Sequence, residues 1–181
     1  SMAIGAPNLG FFVNIIAMFG LLFFVHKTAD SGLGLVAIFA FTGFMGFTLG
    51  PMLSAVLSFA NGGAMVMQAL GGTALIFFSL SAYVLTSRKD FSFLGGFLFI
   101  GLLVVIGGMI VNYFLAIPAA QLAISAAVIM IMSGLILFDT SRIIHGGETN
   151  YIRATVSLYL NIYNIFIHLL HLIMMFSGGD D

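Results

Sequence analysis

The residues able to do chemistry lie in the last long apolar run of the chain, Tyr151 to Phe176, and just before it. Within that run Ser157, Asn161, Asn164, His168 and His171 are spaced by four, three, four and three residues, which lines them up on one face of a helix. Leu158, Leu160, Ile162, Ile165, Leu169 and Leu172 surround the stripe. Two amides and two imidazoles lose their hydrogen bonds if they face lipid, so in a spanning helix they must face protein or water. The expectation is a central last helix around which the others pack.

Asp139 ends the preceding apolar run, after Leu135-Ile136-Leu137-Phe138, and Arg142 follows three residues on, on the same helix face. The carboxyl group can pair with Arg142, pair with a group on the last helix, or hold a proton. An ionisable residue at membrane depth reads as a functional site; a helix-end ion pair at headgroup level is the plainer alternative.

Metal and acid–base chemistry fare worse. His145 and Glu148 lie in the glycine loop His145-Gly146-Gly147-Glu148-Thr149-Asn150, and two ligands are too few for a zinc site. The loop reads instead as a helix end needing left-handed backbone at glycine, with Thr149 or Asn150 capping the next helix. His168 and His171, one turn apart, are the better metal pair, and Asp139 is the only third ligand on offer. Antiparallel spans put Asp139 at the other end, about 25 Å away at the helical rise, too far for one ion. The histidines are therefore read as hydrogen-bonded within the bundle. No phosphate loop and no nucleophile–base pair stand out, so no catalytic residue and no metal site is expected, and an intramembrane metal hydrolase is the remotest function.

The elements that position these residues follow from composition. Of 181 residues 61% are hydrophobic and 6% charged, and the mean hydropathy is +1.21, far from the mix of a soluble domain. One all-α polytopic transmembrane domain over residues 1–181 is expected, with the lipid bilayer as its medium. A formal net charge of −1 gives no nucleic-acid surface. The chain has no cysteine, which removes disulfides and thiolate metal sites.

Six apolar runs are long enough to cross a bilayer: Leu9 to Val25, Leu33 to Phe59, Ala64 to Leu85, Phe91 to Phe114, Ala119 to Phe138 and Tyr151 to Phe176. Lys27, Arg88, Lys89, Arg142 and Arg153 all fall on alternate breaks between them. The positive-inside rule makes those loops cytoplasmic and puts this chain's first residues and its Asp180-Asp181 tail outside. In the second run Gly46, Gly50, Ser54 and Ser58 recur every four residues, a face on which another helix can approach closely, and Pro51 predicts a kink or hinge.

Longer stretches carry a resemblance. Phe138-Asp139-Thr140-Ser141-Arg142-Ile143-Ile144, the segment His145 to Tyr159, and Leu158-Tyr159-Leu160-Asn161-Ile162-Tyr163-Asn164-Ile165-Phe166 resemble the C-terminal signature of the Bax inhibitor-1 family. Ala40-Phe41-Thr42-Gly43 to Gly50-Pro51, and Gly71-Gly72-Thr73-Ala74 to Phe91-Ser92-Phe93-Leu94-Gly95-Gly96, match the same family in order, most closely its bacterial branch.

The resemblance implies seven helices with the last one central; six are visible here, and the chain begins where the family's second helix would. It implies no cofactor and two activities. One is restraint of the membrane-anchored ATP-dependent protease FtsH in the bacterial inner membrane. The other is a pH-sensitive calcium leak gated by two aspartates, one at Asp139 and one at the position that here is Asn161. An aspartate and an asparagine do not share a proton as two carboxyl groups do, so this chain departs from that gate. Asp139 with the Asn161 and Asn164 carbonyls, helped by Arg142, would at most line a weaker path for Ca²⁺ or another cation.

Overall fold

The computed structural model describes residues 6–178; the Asp180-Asp181 tail lies outside the described residues. Every regular element is helical: α1 (Ala6–Thr28), α2 (Leu33–Leu57), α3 (Gly62–Ser87), a single 3₁₀ turn (Ser92–Leu94), α4 (Gly95–Leu115), α5 (Pro118–Ile144) and α6 (Tyr151–Ser177). Among the described residues five of these are long and apolar enough to cross a membrane. The first adds a shorter apolar stretch, Val13–Thr28. Their outward surfaces are greasy, with Phe47, Phe97 and Phe114 each at least 75% exposed, which water would not tolerate and lipid does. The protein is an all-α polytopic membrane bundle.

The helices match the expected spans to within a few residues, with two informative differences. Phe91 does not begin the fourth helix: a 3₁₀ turn intervenes, and the α-helix starts at Gly95. The fifth helix runs six residues past Phe138: Asp139 and Thr140 continue the buried face of Met132 and Ile136, and Ser141 is buried against the α3–α4 loop. Asp139 therefore sits inside its helix rather than at its end.

The turns are closed by identifiable groups. Arg88 ends α3 in the left-handed region (φ 51°), its N–H donating to Val84. Asn112 closes the α4–α5 turn twice: its carbonyl accepts from Ala116 N–H at 2.7 Å, and its side-chain oxygen accepts from Ile117 N–H at 3.1 Å. Pro118 opens α5 where a missing N–H costs nothing. After α5, Gly146 takes φ 78°, and the N–H groups of Gly147 and Glu148 both reach the Arg142 carbonyl, the left-handed helix end expected of the glycine pair.

The chain falls into two compact units. The smaller comprises the residues up to Ala55 together with Asn150–Val156. There Asn150 caps α6, its Oδ1 accepting from the N–H groups of Ile152 and Arg153, while its Nδ2 donates to Ala29 O and Asp30 Oδ1. Arg153 pairs with Asp30 at 2.9 Å, an exposed bridge worth at most about 1 kcal/mol. The larger unit comprises Val56–Thr149 and α6 from Ser157 onward. Its core is Val105, Val128, Met132, Ile136 and Ile165, supplied by α4, α5 and α6.

Candidate functional site

Asp139 on α5 is 9% exposed, and a buried carboxyl group needs donors. Two arrive from α6: Ser157 Oγ–H at 2.5 Å and Asn161 Nδ2–H at 2.8 Å, both on Oδ2. Ser157 and Asn161 are one turn apart, so they straddle a single oxygen without distorting the helix. The polar stripe thus turns toward α5 within this unit.

Arg142 does not pair with Asp139. Its guanidinium donates to Gly147 O at 3.0 Å and lies over the Phe138 ring, 5.5 Å from the centroid. The three-residue spacing allows the pair, but the unpaired carbonyls at the end of α5 compete for the cation while α6 supplies the carboxyl group. Asn164 also departs from expectation: its Nδ2 donates to Leu160 O on its own helix at 2.8 Å. It faces a cavity of about 370 Å³ together with Ser157, Asn161, Val105, Met132 and Leu135. One hydroxyl and two amides line this apolar cavity, two of them bonded to the Asp139 carboxyl group, which does not line it itself; oxygen ligands of this kind suit weak cation contact.

The histidines belong to a different place. His168 Nδ1 meets Ser125 Oγ at 3.2 Å. His171 lines a separate pocket of about 340 Å³ with Asn112 and Gln121, and its Nε2 is buried with no hydrogen-bond partner among the described residues. Among the described residues, no group of three His, Asp or Glu side chains is placed to hold a metal ion.

A cluster that sequence reasoning missed joins the α3–α4 loop to the end of α5. Ser141, fully buried, accepts from Phe91 N–H at 2.9 Å and lies 3.3 Å from Asp90 Oδ1 as donor. His145 Nδ1 is 2.8 Å from Ser141 O and its Nε2 is 3.1 Å from Arg88 O. Serine, histidine and aspartate meet here without forming a catalytic triad. Ser141 is inaccessible, and the imidazole faces carbonyls rather than the carboxylate. Only the four-residue interval between Ser141 and His145 was visible beforehand; the loop partners lie about fifty residues away in the chain. Asp90 is held below the usual carboxylate range, chiefly by the Ser92 hydroxyl and backbone N–H, then by the Ser141 hydroxyl and the His145 charge.

The small-residue face of α2 is exposed at Gly46, Gly50, Pro51 and Ser54. A Cβ at Gly46 or Gly50 would meet nothing within 4 Å among the described residues. The helix runs unbroken through Pro51.

Comparison with known proteins places this geometry. The profile of the family described as inhibitor of apoptosis-promoting Bax1 matches residues 1–178. A protein of Escherichia coli K12 named "Modulator of FtsH protease YccA" is 57% identical over 174 residues, 96% of this chain and 78% of that protein. One of Escherichia coli O6:H1 named "Inner membrane protein YccA" matches equally well, over the same shares of the two chains. A Pseudomonas aeruginosa protein is 52% identical over 99% of this chain and 80% of its own length.

Proposed function

This chain belongs to the Bax inhibitor-1 family, and from that premise we propose that it is a modulator of the FtsH protease, acting in the bacterial inner membrane by contact and without chemistry of its own. The observation that carries the reading is the relative, 57% identical over 96% of this chain, that is named for modulating FtsH. Two structural features support it. Asp139 and Ser141 are engaged inside the bundle, as a scaffold requires. The Gly46, Gly50 and Ser54 face of α2 is exposed, as a helix-docking surface requires. In this reading the loops bearing Lys27, Arg88, Lys89, Arg142 and Arg153 are cytoplasmic and the C-terminus is periplasmic. The test is co-reconstitution of this chain with FtsH in nanodiscs. Association together with slowed turnover of a membrane substrate supports the reading, and FtsH that neither binds nor slows refutes it.

A cation leak is the second reading, favoured by the placement of Ser157 and Asn161 between Asp139 and the 370 Å³ cavity. Asp139, Asn161 and Asn164 would contact the ion, with Arg142 outside the path. Calcium entry into protein-only liposomes decides it. A leak from the parent that Asp139→Asn alters supports a gate; a tight parent and a pH-dependent leak only in Asn161→Asp places the gate outside this chain's native function.

A further inference from the structure

The cavity of about 370 Å³ between α4, α5 and α6 has one polar wall and two apolar ones. α4 and α5 face it with side chains such as Val105, Met109, Val128 and Met132, whereas α6 turns Ser157, Asn161 and Asn164 to it. It lies at mid-depth: the lining residues of α4, Leu102 to Met109, leave about 10 Å of that helix on either side at the helical rise. Its lip is Ile106, 43% exposed on the same helix face as the exposed Leu103 and Ile110, while Val105, Val128 and Met132 behind it are buried. The mouth therefore opens sideways onto hydrocarbon, and what enters comes from the bilayer.

The walls decide what fits. Apolar walls of this kind hold water poorly and take apolar guests. At roughly 30 Å³ each, the share of one water molecule in the liquid, the space equals about twelve small groups, a short stretch of hydrocarbon chain. The α6 wall adds a second requirement. A side-chain amide has two N–H groups and one carbonyl. Asn161 commits one N–H to Asp139 Oδ2 and Asn164 commits one to Leu160 O. Neither amide oxygen accepts a hydrogen bond among the described residues. Amide groups left over beside hydrocarbon are costly, so a matching guest brings its own hydrogen-bonding group to them. No charged side chain lines the cavity, so a phosphate or a carboxylate finds no counter-ion there.

We propose that this cavity is a binding site for a neutral amphiphile dissolved in the membrane, a hydrocarbon chain ending in a hydroxyl or carbonyl group. The molecule enters beside Ile106, lays its chain against Val105, Val128 and Met132, and hydrogen-bonds to Asn164 and Asn161. A hydroxyl suits the amides best, because it both donates to an amide oxygen and accepts from an amide N–H. Binding of this kind requires neither FtsH nor an ion.

Photolabelling of the full chain in nanodiscs tests the site, the probe being a twelve-carbon primary alcohol with a diazirine in its chain. Mass spectrometry of the labelled peptides is expected to place the label on the cavity residues of α4, α5 and α6 in preference to lipid-facing residues such as Phe47 and Phe97. Unlabelled 1-dodecanol should displace the probe at roughly fivefold lower concentration than dodecane, the worth of one hydrogen bond inside a bilayer. Asn164→Leu should narrow that preference, and Val128→Phe, which fills the cavity from a buried wall, should remove the cavity label. Should Val128→Phe not fold, Ile106→Trp on the exposed lip closes the mouth instead and should have the same effect. Label spread evenly over the lipid-facing surface, or cavity label retained in a folded blocking variant, overturns the site. Equal displacement by dodecane and 1-dodecanol overturns the hydrogen-bonding head group.

Discussion

Glycines are used in opposite ways in two regions of this protein. In α3, α4 and α5 several are filled by the chain itself: a Cβ at Gly72 would come within 2.6 Å of Leu169, one at Gly134 within 2.6 Å of Leu98, and one at Gly95 within 2.9 Å of the Phe138 ring, whereas Gly71, Gly96 and Gly107 meet nothing within 4 Å among the described residues. On α2 the same residue type recurs at Gly43, Gly46 and Gly50 with open space above each, among the described residues. The first set has been spent on packing α3 against α6 and α4 against α5, in the same unit in which Ser157 and Asn161 reach Asp139. The second set is a glycine face with open space above it among the described residues. In a membrane, where close backbone approach rather than water exclusion drives helix association, such a surface suits a partner helix.

Substitutions break the comparison in a ranked order. Gly62, the first residue of α3, is the most constrained: a Cβ there would overlap the Val56 carbonyl oxygen and come within 2.8 Å of Leu57 Cα. Backbone cannot swing aside as a side-chain tip can, so Gly62→Ala is expected to cost about 3 kcal/mol, at the upper end of overpacking, read as thermal stability in detergent. Gly95→Ala opposes two effects, a helix-propensity gain of up to about 1 kcal/mol and an overlap costing about 1–3 kcal/mol. The overlap wins because an aromatic ring at 2.9 Å has little freedom, and a net loss of about 1 kcal/mol is expected. Asn161→Leu leaves the Asp139 carboxyl group with Ser157 alone. Intramembrane hydrogen bonds average well under 1 kcal/mol but reach about 2 at their strongest, and a buried carboxyl acceptor belongs near that limit. Gly46→Ala, into open space, should leave stability unchanged or raise it by a few tenths of a kcal/mol. If Gly46→Ala instead destabilises as Gly95→Ala does, the two regions are not different in kind.

Much of this was legible in the sequence because it depends on helical period. The spans, the stripe Ser157-Asn161-Asn164-His168-His171, the Asn150 cap and the left-handed Gly146 all follow from residue type and interval. The partner of Asp139 was legible as one of three options, and burial of the α5 end selected α6. Arg142 was not, because its choice depends on where the orphan carbonyls of the Gly146 turn point, which spacing does not encode. The Ser141–His145–Arg88 cluster was invisible for the same reason: it joins a loop and a helix end about fifty residues apart. The α2 face could be recognised as a close-packing surface, but spacing does not show that the space above Gly46 and Gly50 is open.

The most direct test is FtsH turnover of a membrane substrate in proteoliposomes, with the parent chain and with a variant carrying Leu at positions 46 and 50, whose stability is checked separately. Slowed turnover by the parent and restored turnover with a folded variant is the predicted result, placing restraint of the protease on the open face of α2. A parent that leaves FtsH unaffected at saturating ratio contradicts the account, and a folded variant that slows FtsH as well as the parent removes α2 from it.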